Sequence, residues 1–316
     1  MSLFRRTTAL LSLTVVTALV AVGCAAGAPS SDATTSTDDD RVVAELRDML
    51  PADILEKGEI LVGTDPSYPP CDFRNDKGEI DGYNNAILQA MAPLLGVKIT
   101  MEGIAFDGLL PGVESGRFDA AMECITDNEE RQKIVQFVDY SYSTKGIIKL
   151  ADSAAEITEN PLTYCGLKAG VQTGTEFVTD VELFNQNCEE AGEASIETTN
   201  FPTTADQNTA LQSGQIDFAV TSFATGVWQA RETDGMFDIL PSPLLAKTYV
   251  GIVVGLENDD LAAALEGALR AIIEDGTYQD VLDEWNLGEL ALPDTGINLA
   301  TSDPLEKPVP CGACGK

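Results

Sequence analysis

The 316-residue chain contains no histidine at all. That absence removes Ser-His and Cys-His nucleophile pairs, and histidine-ligated metals with them. Bases are scarce too: 19 Lys and Arg stand against 51 Asp and Glu, for a formal charge of −32. A surface so negative repels phosphate backbones, which excludes a nucleic-acid partner; the charge is read instead as a solubility feature of an exported protein. Beyond the first two dozen residues, no apolar run is long enough to cross a bilayer. What is present is a globular balance, 44% hydrophobic and 22% charged, in a chain long enough for two domains or one large one.

Residues 1–23 read as a secretory signal, with Arg5 and Arg6 as its basic end and Thr8 to Val22 as its apolar stretch. The stretch closes on Ala21-Val22-Gly23-Cys24. That ending resembles a bacterial lipoprotein box, with Ala where Leu is usual, and implies lipidation of Cys24. The alternative is an ordinary signal peptide with an incidental cysteine. Loss of 1–23 takes two arginines and no acid, leaving −34. Residues 24–40 are small or acidic, and form a flexible tether in this reading.

From Glu59 onward strands and helices alternate, which predicts an α/β fold on a mainly parallel sheet. Strands are expected at 59–64, 97–101 and 118–124, and helices at 84–95 and 106–114, with another starting near Asn128. The second half repeats the logic: strands at 168–172 and 195–201, helices at 175–186 and 204–212. Glu114-Ser115-Gly116-Arg117-Phe118-Asp119 is echoed by Gln212-Ser213-Gly214-Gln215-Ile216-Asp217. Six residues also fit a common helix-to-strand turn, so the echo suits two similar lobes without proving them. A strand at 249–254 and helices over 261–275 and 276–285 follow. Residues after Leu292 are Pro-rich and acidic, and are expected to be loosely ordered.

Five segments together resemble the substrate-binding lipoproteins of polar amino-acid ABC importers, extracellular solute-binding protein family 3. They are Gly63 to Pro70, Phe106 to Pro111, Ser115 to Arg131, Gly170 to Thr175, and Asp275 to Trp285. The resemblance spans about residues 55–290. It implies a type II periplasmic-binding-protein fold: two lobes, two hinge strands, and ligand in the cleft between them. Lobe 1 would be 41–146 with 249–290, lobe 2 147–248, and 291–316 a tail. It further implies a monomer on the extracytoplasmic face of the bacterial membrane, handing an amino-acid-like solute to a permease. No cofactor, metal or catalysis is implied.

Carried over, Arg131 grips the ligand carboxylate, which a planar guanidinium does bidentately. Its place in a first helical turn after Asn128 also calls for a nearby negative group; pairing with Asp127 or Glu129 would supply one equally well. Thr126 and Thr175 match hydroxyl and amide donors, although capping or loop packing explains both. Tyr68 and Phe106 match the aromatic pair around the ligand, against a core role. Asp65 matches a reader of polar groups, against a turn residue before Pro66. Ser222 stands where the family usually has the aspartate for the α-ammonium. Glu123 and Cys124 stand where small or hydroxylic residues are usual. Hence Glu123 or Asp65 takes over the ammonium, or the ligand lacks one; a carboxylate alone in a closed cleft needs a cation or hydrogen-bond donors.

With Cys24 assigned to lipid, six cysteines remain for an oxidising compartment. The resemblance implies a Cys165–Cys188 bridge. Cys71 and Cys124 are either a second bridge beside the ligand or free thiols. Cys311 and Cys314 form a terminal disulfide, against a redox motif or half a zinc site. Two other functions stay open at this level: a secreted cyclohexadienyl (prephenate/arogenate) dehydratase on the same fold, with Glu123 as general acid, and a solute sensor.

Overall fold

The structure is a computed structural model and describes residues 41–242 and 244–306. Cys24, the signal and tether, Cys311 and Cys314 lie outside the described residues.

Helices α1 (Ala44–Asp48) and α2 (Ala52–Lys57) lead into β1 (Glu59–Thr64). A small antiparallel sheet follows, of β2 (Ser67–Tyr68), β3 (Asp72–Arg74) and β4 (Ile80–Asp81). Next come α3 (Tyr83–Leu95), β5 (Lys98–Gly103), α4 (Leu109–Glu114), β6 (Ala120–Ala121) and β7 (Val135–Ser143). The chain then passes into a second sheet with β8 (Lys145–Leu150), β9 (Lys168–Gln172), α5 (Phe177–Ala191), β10 (Glu197–Phe201), α6 (Thr204–Gln212), β11 (Phe218–Ser222), α7 (Phe223–Glu232) and β12 (Phe237–Pro241). It returns through β13 (Thr248–Gly255), α8 (Asp259–Glu274), α9 (Thr277–Glu284), β14 (Ala291–Ile297) and α10 (Leu299–Ser302).

The first sheet runs β14-β7-β13-β6-β1-β5 and the second β10-β9-β11-β8-β12. Each has a parallel trio: β5, β1 and β6 in one, β10, β9 and β11 in the other. The remaining partners are antiparallel, so the mainly parallel expectation holds only for these trios. The physical reason is connectivity. Strands β7, β8, β12 and β13 carry the chain between sheets directly, without the crossover helix that parallel pairing requires.

The echoed hexapeptides fold alike. Asp119 donates its backbone N–H to the Leu61 carbonyl at 3.0 Å and accepts the Leu61 N–H on its carboxylate at 2.8 Å. Asp217 accepts the Lys168 N–H on its own at 2.9 Å, and its backbone N–H reaches the Lys168 carbonyl. Both preceding glycines, Gly116 (φ 72°) and Gly214 (φ 68°), are left-handed, a conformation a side chain would disfavour.

Two expectations fail. The helix foreseen from Asn128 is a single 3₁₀ turn, Arg131–Lys133. The chain must enter β7 at Val135, one residue after Ile134, which leaves no room for more. Asn128 still accepts the Arg131 N–H at 3.0 Å, as a cap would. The segment after Leu292 is not loose: β14 pairs antiparallel with β7. Leu299 N–H then donates to Asp139, and Ala300 N–H to Asp127. Those buried carboxylates need donors, and nothing in the tail's local composition announces that it supplies them.

Candidate functional site

In an open α/β sheet, loops at the carboxyl ends of parallel strands form the binding crevice. Here the loops after β1, β6 and β9 face one another. They enclose a cavity of about 20 Å³, lined by Tyr68, Phe106, Glu123, Cys124, Thr126 and Arg131 from one side and by Gln172, Thr175, Glu176 and Phe177 from the other. That is room for about one water. A wider hollow of about 710 Å³, around Gly96 and Lys98, opens on one side of the first sheet and gathers no buried polar groups from the second.

Hydrogen bonds from Tyr68, Gln172 and Arg131 join the sides. Tyr68 reaches across the cleft, where its hydroxyl accepts the Ser222 N–H at 2.8 Å and lies 3.1 Å from Thr221 Oγ1. Gln172 Nε2 donates to Asp65 at 3.0 Å. The Arg131 guanidinium donates to the carbonyls of Thr126 (2.8 Å) and Gly174 (3.0 Å), one from each side. Gly174 has φ 83°, and a Cβ there would sit 3.0 Å from Asp107 Cα, so this approach requires glycine.

Arg131 is half-buried, 5.8 Å from the Phe106 ring centroid, at cation–π distance. Among the described residues it forms no ion pair. Asp127 instead accepts Gln132 at 2.7 Å and faces Ala300. The helix-turn pairing weighed for Arg131 is therefore not made, and part of its five-donor fork is unengaged. Burial draws its pKa below the ordinary guanidinium value, against the pull of Glu176, Glu123 and Asp127.

Glu123 is 1% exposed, and its Oε1 has no hydrogen-bond partner. Desolvation first, then the charges of Asp65 and Asp72, hold its carboxyl well above the ordinary 4.5, while Arg131 acts the other way. Asp65 is also raised by burial but is satisfied by Ser67 and Gln172. Cys124 is bridged to Cys71, with a Cα separation of 6.1 Å, so the second bridge exists beside the cleft. Its φ of 50° is unusual for a non-glycine residue. The Tyr140 hydroxyl accepts its N–H at 3.2 Å. Cys165–Cys188 is bridged as well.

The remaining candidates divide. Thr126 and Thr175 line the cavity, but Thr175 lies two residues before α5 and donates to the Gln172 carbonyl at 2.7 Å. Ser222 does not line it. Its hydroxyl caps α7, accepting Thr225 N–H at 3.1 Å and donating to Thr225 Oγ1 at 2.8 Å. Sequence reasoning named neither Glu176 nor Phe177, and quoted Gln172 only within a motif. Lys145 was missed too. Only 8% exposed, it pairs with Glu176 at 2.5 Å and Asp180 at 3.0 Å beneath the cleft. Those partners lie over thirty residues away in sequence, so no local pattern could have shown them.

Two α/β halves that close over a small polar cavity, with a guanidinium and a buried acid on its walls, define a receptor for a small solute. Comparison with known sequences gives the family. The chain belongs to the bacterial extracellular solute-binding proteins, family 3, whose profile matches residues 60–289. It is 29% identical to the arginine-binding protein ArgT of Corynebacterium glutamicum, over 81% of this chain and 83% of that one. It is 25% identical to the L-cystine-binding protein TcyJ of Escherichia coli K12, over 73% and 84%. Among solved structures, an ancestral arginine-binding protein bound to arginine superposes with a TM-score of 0.64 at 26% identity, covering 72% of this chain and 98% of that one.

Proposed function

We propose that this protein captures a small amino acid or amino-acid derivative outside the cytoplasm and delivers it to an ABC permease, anchored to the membrane by lipid on Cys24. The observation that carries the reading is the cleft: Arg131, the aromatic residues Tyr68, Phe106 and Phe177, and Thr175 ahead of α5 line one enclosed space. In this reading 41–146 with 249–290 and 147–248 are the two lobes, joined by two hinge strands. Binding stabilises the closed arrangement because ligand contacts on both sides exist only when the sides meet. Relatives named for arginine, cystine and octopine binding support the substrate class.

The test is a thermal-shift screen of the mature chain against L-amino acids, opines and amines. A ligand at 100 times its Kd adds about 2.7 kcal/mol of stability. Failure of every compound to shift the wild type would sink the reading. A buried acid in a cleft also suits acid catalysis, so prephenate is assayed in parallel. Turnover that vanishes in Glu123→Gln would replace the receptor with a dehydratase.

A further inference from the structure

We propose that a hollow between α7 and the turn after α9 is a second ligand site, separate from the cleft, and that it takes a small planar aromatic carboxylate.

The hollow measures about 390 Å³, a volume typical of small-molecule sites, and shares no lining residue with the cleft. Its walls come from three places. Helix α7 supplies Phe223 and Trp228, and the turn after α9 supplies Trp285 and Leu290. Thr144 and Lys247 line it where the chain passes between the two sheets, Thr144 between β7 and β8 and Lys247 ahead of β13. A guest touching all three contacts both sheets' sides at once.

The shape of that guest follows from the rings. Trp228 and Trp285 have centroids 5.9 Å apart at an interplanar angle of 35°, and Phe73 lies 5.6 Å and 6.0 Å from them. Rings at such spacings attract one another. They do not finish one another's burial, however. Both indoles are only half-buried, and Val227 next to Trp228 is 47% exposed. Apolar faces therefore stay wet in a concave space, and a flat apolar guest removes them from water.

The charge of the guest follows from Lys247. Its ammonium lies 3.4 Å from the Tyr142 ring centroid, and among the described residues it has no hydrogen bond and no ion pair. Arg231 also lines the hollow, with its guanidinium 4.6 Å from the Trp228 ring centroid; its acid partner, Glu232, lies outside the lining. Glu289 is the single acid among the lining residues. The chain's charge of −32 repels anions at long range, but physiological salt screens that field beyond about 8 Å, so the local cations decide. A carboxylate gives Lys247 the partner it lacks, while its ring covers the indoles.

Phenylacetate, 2-phenylethanol and hexanoate test the site by titration of the mature chain. The first has ring and charge, the second the ring alone, the third the charge alone. Both tryptophans of the chain line the hollow, so intrinsic fluorescence follows its occupancy. Phenylacetate is expected to change that fluorescence saturably, with a stoichiometry of one. Lys247→Gln, a change at an exposed side chain, should weaken phenylacetate about 5-fold and leave 2-phenylethanol unaffected. Hexanoate should bind at least about 3-fold more weakly than phenylacetate for want of stacking. Absence of saturable phenylacetate binding overturns the proposal. Equal affinity of wild type and Lys247→Gln for phenylacetate overturns it too, as does hexanoate binding as tightly as phenylacetate. Arg131→Ala separates the two cavities: a phenylacetate loss larger there than in Lys247→Gln would put the carboxylate in the cleft and refute a second site, and a smaller one supports it.

Discussion

Tyr68→Phe isolates the free energy of closing the cleft. The hydroxyl it removes accepts Ser222 N–H at 2.8 Å and lies 3.1 Å from Thr221 Oγ1. All three residues are buried, at 5%, 7% and 2% exposure. Phenylalanine keeps the ring and its apolar contacts but leaves a backbone donor and a hydroxyl without their partner. A buried group stranded in this way costs about 1–3 kcal/mol. Opening the cleft hydrates the same groups, so the cost falls on the closed state alone. The closed-to-open ratio should therefore drop about 5- to 150-fold, and the apparent ligand affinity with it. Small-angle scattering of the ligand-free variant should show a larger radius of gyration than wild type. Fluorescence should report the same shift, since Trp228 and Trp285, the chain's only tryptophans, have ring centroids 5.9 Å apart. A ligand-free radius and fluorescence equal to wild type, with affinity within twofold, would refute the claim that this hydroxyl holds the two sides together.

Arg131→Ala should abolish the thermal shift for the true ligand while leaving secondary structure by circular dichroism unchanged; a full shift would remove the carboxylate assignment. Replacing Cys71 and Cys124 by serine together should cost about 4 kcal/mol on the chain-entropy argument for a 53-residue separation, read as a lower urea midpoint, and a cost below 1 kcal/mol would show that the bridge constrains little. Glu123→Gln should be more stable than wild type above about pH 4.5. The folded carboxyl keeps its proton to a higher pH than the unfolded one. Wild-type stability therefore falls as pH rises from the ordinary value towards the raised one, while glutamine has nothing to lose. Melting curves that coincide at every pH would show that burial does not shift this group. Lys145→Met should destabilise by about 3–5 kcal/mol, because Glu176 and Asp180 would lose the cation between them; an unchanged denaturation midpoint would mean both carboxylates are hydrated.

Most of the architecture is written locally. Helix α6 begins and ends where the pattern from Thr204 to Gln212 places it, because Thr203 caps it and accepts the Asp206 N–H at 3.1 Å. The hexapeptide echo carries enough turn chemistry to build the same clamp twice. Seven of the nine candidate site residues, all but Asp65 and Ser222, line the cavity directly, since their loops end parallel strands. Strand ends are fixed by period and punctuation, which a sequence displays.

The roles within that cleft were decided elsewhere. Ser222 caps a helix rather than facing the cavity, because Thr225 lies within one turn and outcompetes it for the hydroxyl. Asn128 opens a 3₁₀ turn rather than a helix, because β7 claims the residues beyond it. The segment from Ala291 becomes a strand because β7 offers an unpaired edge and Asp127 and Asp139 need donors. Glu123 is solitary because its neighbours in space, Asp65 and Asp72, are acids some fifty residues away. Periodicity and caps are properties of adjacent residues and survive in one dimension. Burial, charge balance and hydrogen-bond competition depend on what the folded chain brings together, and only the tertiary structure decides them.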